Sequence, residues 1–284
     1  MLARWLLERF DRSAARAAAR ARFRAAFPRA GFEQGRVAAP LIDRLTDGEL
    51  DRLNALLDWN CFTADRHGRR FGCPAKEGKR ESPQPIPDPR IVQFDQRFGL
   101  AGKRVVEIGC FEGVHTIALC QRAASVVAID ARVENVVKTI VRCALFGVHP
   151  TVFPWDVESS APPPPELSAD LAHHVGVLYH LRDPVAHLVA LGKLVRDGLM
   201  LDTSIAAPEQ ATERYEAAGQ SFAYRHFRED QPDNPFAGTL DHARWLPLEE
   251  LKRALALAGF PRIEVDHVRQ ERNGLRTLLF ASRA

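Results

Sequence analysis

Residues 105–113, VVEIGCFEG, set a carboxylate and two glycines at the end of an apolar run, the spacing of a ligand-binding turn. Gly109 and Gly113 let a ligand approach the backbone with no Cβ in the way. A helix opening after such a turn aims its first free N–H groups at the crevice beyond the carboxyl end of a sheet. Glu107, at the strand end, is placed to meet a cationic group or to position the turn. Asp130 follows Gly113 by 17 residues and closes the next apolar run, SVVAID. A carboxylate there accepts both hydroxyls of a ribose, each charge-assisted bond being worth about 1.5–3 kcal/mol. The plainer role for Asp130 is to cap the following helix; its distance behind Glu107-x-Gly109-x-x-x-Gly113 favours ribose. A dinucleotide turn, G-x-G-x-x-G, needs a central glycine so that pyrophosphate can touch the backbone. Here that position is Phe111, which sets pyrophosphate cofactors aside.

Positioning these residues requires alternating strands and helices. KRVVEIG predicts a strand and VHTIALCQRA a helix; SVVAID a strand and ENVVKTIVRCALFG a helix closing on Gly147. TVFPWDV is a third strand, which Pro154 puts at an edge or at its end. DLAHHVGVLYH supplies a fourth strand, DPVAHLVALGKLVRDG a helix and LMLDTS a fifth strand. This alternation argues for a parallel sheet with crossover helices on both faces. LPLEELKRALALAGF is a last helix, and Asn273–Gly274 joins RIEVDHVRQ to LRTLLFASR in a hairpin.

Ahead of this region, residues 41–60 read as a helix, and residues 61–90 carry Gly68, Gly72, Gly78 and five prolines. DRHGRRFG predicts a small hairpin around Gly68, and the rest a loop of the length used for lids. The expected organisation is residues 1–100 as N-terminal helices and a Gly/Pro-rich lid, followed by a single domain over 101–284.

The net charge of +3 is unevenly spread: residues 1–30 carry eight arginines against Glu8 and Asp11, so the remainder sums to −3. The body is not a surface built to neutralise phosphates. The N-terminal stretch is read as a helix packing Trp5, Leu6, Phe10 and Phe23 while exposing arginines; an organellar presequence is the other reading of its Arg-rich character. The five cysteines form no CxxC pair and no zinc-like spacing with histidine, so no metal is expected. Their odd number and scatter fit a reducing, cytoplasmic setting. No apolar run reaches the roughly 20 residues that span a bilayer.

A parallel sheet finishing in an antiparallel hairpin resembles the class I S-adenosylmethionine-dependent methyltransferases over about residues 100–284. The fold implied is α/β, a Rossmann-like seven-stranded methyltransferase sheet with an N-terminal helical cap and lid. The resemblance implies S-adenosyl-L-methionine as cofactor, with its methionine part on Glu107, Gly109, Cys110, Phe111 and Gly113. Asp130 and Ala131 then face the ribose and Asp156 and Val157 the adenine, with Trp155 either beside the purine or buried structurally. The segment GVLYHLRDP, residues 176–184, with His115 and Arg276, is similar to the branch holding CmoB-like carboxymethyltransferases of the tRNA wobble uridine. In that branch Tyr179 and Arg276, with Lys76 or Lys79, would meet the extra carboxylate of carboxy-S-adenosylmethionine. With the ordinary cofactor, Arg276 becomes an edge-strand surface charge. The shorter chain, acidic-leaning body and Phe111–Glu112 depart from that branch.

Methyl transfer from a sulfonium is an in-line displacement, in which positioning does most of the work and a base serves only an acceptor that must lose a proton. His180 and Tyr179, at the carboxyl end of the fourth strand beside Gly176, are the catalytic candidates, with a structural role as the alternative for His180. The fold places substrate-recognition structure at 204–245, where Tyr224, His226 and Arg228, along with Arg276, suit a polar or anionic acceptor; a helix packed on the sheet is the other reading. The expected activity is transfer of methyl to O or N of a polar small molecule, with a small-molecule acceptor ahead of nucleic acid and a homodimer as one assembly state. A non-catalytic nucleotide-binding homologue is the reading from a different class.

Overall fold

A strand covered on both faces needs apolar residues at nearly every position, and the centre of the chain supplies such runs. The computed structural model describes residues 41–73, 82–230 and 234–283. The expected N-terminal helix and the candidates Lys76 and Lys79 lie outside the described residues. Seven strands form the main sheet: β3 (Arg104–Ile108), β4 (Ser125–Asp130), β5 (Thr151–Pro154), β6 (Ala169–Val175), β7 (Val195–Ile205), β11 (Arg262–Glu271) and β12 (Gly274–Ser282). Their spatial order is β11-β12-β7-β6-β3-β4-β5, with β12 antiparallel to both neighbours. The remaining adjacent pairs are parallel. This is the expected methyltransferase sheet. β3 lies between β4 and β6, so the chain reverses its direction of growth there, and that switch point opens the ligand crevice. β5 is one of the sheet's two edge strands and ends on Pro154, as its sequence required.

The crossover helices are α3 (Val114–Cys120), α4 (Val133–Leu145), α5 (Pro184–Leu194) and α6 (Leu248–Leu257). The main core gathers Val106, Ile108, Leu188, Leu199, Leu201, Leu255 and Phe260 between sheet and helices. The helix expected to reach Gly198 stops four residues earlier. A Cβ on Gly198 would stand 2.6 Å from the Ala281 carbonyl oxygen and 2.7 Å from the Phe98 ring. This glycine therefore serves a crowded strand, not a helix end.

A helix within the segment read as lid and loop, α2 (Pro89–Phe98), packs Ile91 and Phe94 on the far face of the sheet. Asp88 caps it by accepting from the Arg90 N–H, and Pro89 occupies its first turn, where a missing N–H costs nothing. The proline density of 83–89 concealed this start. Ahead of it, α1 (Asp47–Leu56) opens with a reciprocal Thr46–Glu49 capping box. The hairpin expected around Gly68 is present as β1 (Phe62–Ala64) and β2 (Arg70–Gly72). Trp59, Phe62 and Phe71 of this cap pack on Ile117, Cys143 and Phe146.

Residues 204–245 are not a helix on the sheet. They hold a second, three-stranded antiparallel sheet of β8 (Glu213–Ala217), β9 (Gln220–Arg228) and β10 (His242–Trp245), in the order β10-β9-β8. Phe222, Tyr224, His226 and Arg228 share one face of β9; its first half, with Phe222 and Tyr224, is buried on the main core, and His226 and Arg228 beyond it are exposed. β12 is an inner strand, so Arg276 is not an edge-strand surface charge; its side chain is 12% exposed.

Candidate cofactor and acceptor site

The carboxyl ends of β3, β4 and β6 open on one cavity of about 430 Å³, within the range of small-molecule sites. Nine of the ten residues expected at the cofactor line it: Glu107, Gly109, Cys110, Phe111, Asp130, Ala131, Asp156, Val157 and Gly176. Gly113 does not. It caps α3 at φ 79°, and a Cβ there would meet the Thr139 backbone at 3.0 Å, so its role is the close approach of α3 to α4. Gly109 has φ 77°, and a Cβ would stand 2.2 Å from Val177 Cγ2. Both the left-handed turn and the neighbouring loop demand glycine at this position.

Phe111 also takes a left-handed φ, 50°, which a non-glycine residue holds only at some cost. Its N–H donates to Asp130 Oδ2 at 3.0 Å, and its ring meets Phe236 at 5.3 Å. Asp130 Oδ1 accepts from the Arg132 N–H at 2.9 Å and from Asn135 Nδ2 at 3.1 Å. The carboxylate thus caps α4 and braces the glycine turn. Burial raises its titration, against the lowering effect of these hydrogen bonds.

Glu107 is 1% exposed, and burial pushes its carboxyl up to about 8, the Thr116 hydrogen bond opposing and Asp130 adding to the rise. The Thr116 hydroxyl donates to Glu107 Oε2 at 2.5 Å. His173 Nδ1 stands 3.7 Å from Glu107 Oε1, and neither ring nitrogen of His173 has a hydrogen-bond partner. Burial, with His115 and Arg90 nearby, drives His173 well below the usual imidazole range. Among the described residues Glu107 is therefore a buried acid with no cationic partner of its own, which fits the ammonium group of an amino acid. Glu107, His115 and His173 also bring donor atoms within 4.8 Å of one another. An Arg90 Nη2 at 3.3 Å from His115 Nε2 opposes adding a further cation there.

Beside them lies a charge network that the sequence spacing did not reveal. Arg90 Nη1 donates to the buried Asp202 at 2.6 Å, and its Nε to Asp88 at 2.9 Å. Arg276 donates to the other Asp202 oxygen and lies over the Tyr179 ring, 5.4 Å from its centroid. Burial works to raise the Asp88 carboxyl, but hydrogen bonds from His115 and Arg90 hold it far below the usual carboxylate range. Arg90, His115, Tyr179 and Arg276 all line the cavity. They come from four separate elements; the resemblance had joined His115, Tyr179 and Arg276, and Arg90 is the member that no motif or spacing marked.

Tyr179 and His180 sit on a single 3₁₀ turn, Leu178–His180, after β6. His180 Nδ1 lies 2.9 Å from Glu229 Oε1, and Glu229 Oε2 accepts the Gly238 N–H at 2.8 Å. A strap formed by Pro235, Phe236, Ala237, Gly238 and Thr239 closes the cavity's outer wall. Arg132 holds this strap through the carbonyls of Asn234, Ala237 and Gly238, at 3.3, 2.9 and 3.1 Å. Tyr224, His226 and Arg228 are not among the lining residues: Tyr224 bonds Glu213, and His226 stacks on His242. Residues 204–245 reach the cavity through the strap instead.

The cap supports the same turn from behind. Glu112 accepts the Asn60 and Cys61 N–H groups at 2.7 and 3.0 Å and pairs with Lys138 at 3.1 Å and Arg142 at 3.5 Å. Burial raises its titration, but Arg142 and these bonds lower it further. Arg142 is fully buried, 4.6 and 4.7 Å from the Trp59 and Phe71 ring centroids.

A glycine turn at the switch point, a strand-end carboxylate on each of β3 and β4, and one reversed strand beside β7 define the methyltransferase class. The methyltransferase-domain family model matches residues 84–265, and the chain belongs to this family of S-adenosylmethionine-dependent enzymes. The N-terminal domain of EvdMO1, crystallised with SAH and D-fucose, is 26% identical with a TM-score of 0.69, covering 84% of this chain and 98% of that one. A tRNA U34 carboxymethyltransferase of Methylococcus capsulatus is 36% identical over 115 residues, 39% of this chain and 35% of the relative. A ubiquinone biosynthesis O-methyltransferase of Pseudomonas fluorescens is 30% identical over 109 residues, 38% of this chain and 47% of the relative. The chain thus spans about a third to a half of these two curated relatives. No helix among the described residues is long and apolar enough to cross a membrane.

Proposed function

We propose that this chain is an active methyltransferase that moves a methyl group from S-adenosylmethionine to a hydroxyl of a small, polar, sugar-like acceptor. The observation that carries this reading is the strap-walled cavity, which sets His180 and Tyr179 on the same walls as the glycine turn. The solved neighbour with SAH and D-fucose supports a carbohydrate-like acceptor. When bound, the cofactor supplies an electrophilic methyl on a sulfonium. Glu107 meets its ammonium end, Asp130 its ribose, and Asp156 and Val157 its adenine. Phe111 and the strap exclude water, and Tyr179 with His180 orients the acceptor for in-line attack.

Carboxymethyl transfer to tRNA draws on Arg276 stacked over Tyr179. Yet Arg276 and Arg90 face Asp202 and Asp88, so this wall has no surplus of fixed arginine charge for an extra carboxylate. Calorimetry with S-adenosylmethionine, followed by methyl-transfer assays on D-fucose, on a catechol and on unmodified tRNA, tests the proposal. Donor binding with transfer to the hydroxyl compounds is expected. Binding of NADH in place of S-adenosylmethionine, or modification of tRNA alone, would overturn it, and the mass of a co-purified donor separates methyl from carboxymethyl chemistry.

A further inference from the structure

Glu229 belongs to no recognisable sequence motif, yet it is among the most enclosed carboxylates beside the cavity. Its side chain is 2% exposed. One oxygen faces His180 Nδ1 at 2.9 Å and the other accepts the Gly238 N–H at 2.8 Å. Among the described residues, His180 is its ion-pairing partner. A carboxylate at this distance fixes the proton on Nδ1 and leaves Nε2 as a lone-pair acceptor. The His180 side chain lines the cavity and is 16% exposed.

We infer that Glu229 is the positioning residue of a His180–Glu229 proton-abstracting pair, and that the acceptor is therefore an alcohol or phenol whose proton leaves through His180. This rests on the methyl-transfer reading above. As the acceptor oxygen bonds to the methyl carbon, the O–H bond breaks and its proton passes to His180 Nε2. The methyl–sulfur bond breaks with its electron pair remaining on sulfur. The imidazolium, stabilised by Glu229, returns the proton to water. A neutral amine attacks with a lone pair already free and needs no such arrangement before bond formation.

The strap enters this pair directly. A Cβ on Gly238 would stand 2.9 Å from the His180 carbonyl oxygen and 3.3 Å from Glu229 Cδ. The hydrogen bond that seats the strap and the one that orients the base therefore share one carboxylate. The other charged or titratable groups around His180 are Tyr179, with ring centroids 4.1 Å apart, then Arg276 over Tyr179 and Arg132 on the strap carbonyls.

The experiment compares the full chain with Glu229→Gln and His180→Ala. Calorimetry reports S-adenosylmethionine binding, and kinetics use methyl fucoside and catechol beside matched amines. Nitrogen-15 NMR of the wild-type protein reads the His180 tautomer without any acceptor. Wild type should show the Nδ1–H tautomer and methylate a hydroxyl compound. Glu229→Gln should keep donor affinity within about twofold, lower kcat by about 10²-fold or more, and move the acid limb of the pH–rate profile to lower pH. An Nε2–H tautomer in wild type, transfer to amines alone, or an unchanged kcat and pH profile in Glu229→Gln would overturn the pair. So would a wild type that binds the donor but methylates no hydroxyl probe. Loss of S-adenosylmethionine binding by the wild type would instead sink the methyl-transfer reading itself.

Discussion

Replacing Glu107 with glutamine should abolish a pH dependence of cofactor binding that the wild type possesses. Glu107 is 1% exposed, burial raises its titration to about 8, and the neighbouring His173 is held neutral. At pH 7 the ligand-free carboxyl is therefore mostly protonated, and binding a cationic amino acid must release that proton. Each unit separating free and bound titration is worth about 1.4 kcal/mol. If the bound carboxyl returns near its ordinary value of 4.5, affinity gains at most about tenfold per pH unit. Between pH 6 and 7.5 the gain is about 10–20-fold once titration of the donor's own ammonium is allowed for. Calorimetry in buffers of different ionisation enthalpy should register proton release by wild type and none by Glu107→Gln, whose affinity curve should follow the ligand alone. Stability carries the opposite sign. A carboxyl raised above its unfolded value stabilises the ligand-free fold fully below about 4.5, and that contribution is lost as pH rises toward about 8. Superimposable pH curves for the two proteins, with no proton released on binding, would refute the reasoning.

Three further outcomes follow from particular contacts. Gly109→Ala puts a methyl group 2.2 Å from Val177 Cγ2 at a φ of 77°; donor affinity should fall about 5- to 30-fold from strain of about 1–2 kcal/mol, and Val177→Ala should restore part of it, as read by calorimetry. Arg142→Met leaves Glu112 short of its buried partner, and chemical denaturation should show a loss of about 3–5 kcal/mol, partly recovered by adding Glu112→Gln. Arg132→Ala removes the strap's three carbonyl contacts; limited proteolysis should then cut within 234–239 and SAH should leave faster, while the melting temperature moves little.

The strand–helix alternation was legible because period and composition are local properties. The strands at 104–108 and 125–130 are largely apolar, and each carries a carboxylate at or next to its end, Glu107 and Asp130. The terminal Asn273–Gly274 hairpin was equally plain. α2 was missed because the prolines ahead of Pro89 read as a loop, although Asp88–Pro89 is itself a helix-start signal. Gly198 was misplaced because a glycine required by a crowded strand looks the same, in sequence, as one ending a helix. In sequence Phe111 stands as a missing glycine and a cofactor contact; its left-handed backbone and its contact with Phe236 needed the strap in place.

By itself the sequence determined the order of strands and helices over 103–204 and from 246 onward, the glycine turn and the carboxylates at 107 and 130. These depend on neighbours within a few residues, where hydrophobic period and backbone freedom act. The tertiary structure alone decided that Arg90 joins His115, Tyr179 and Arg276 on one wall, and that Tyr224, His226 and Arg228 face elsewhere. It also brought Glu229 to His180 across 49 positions. Such meetings follow from which strand lies beside which and which way each pleat turns, and that is settled only when the faces pack.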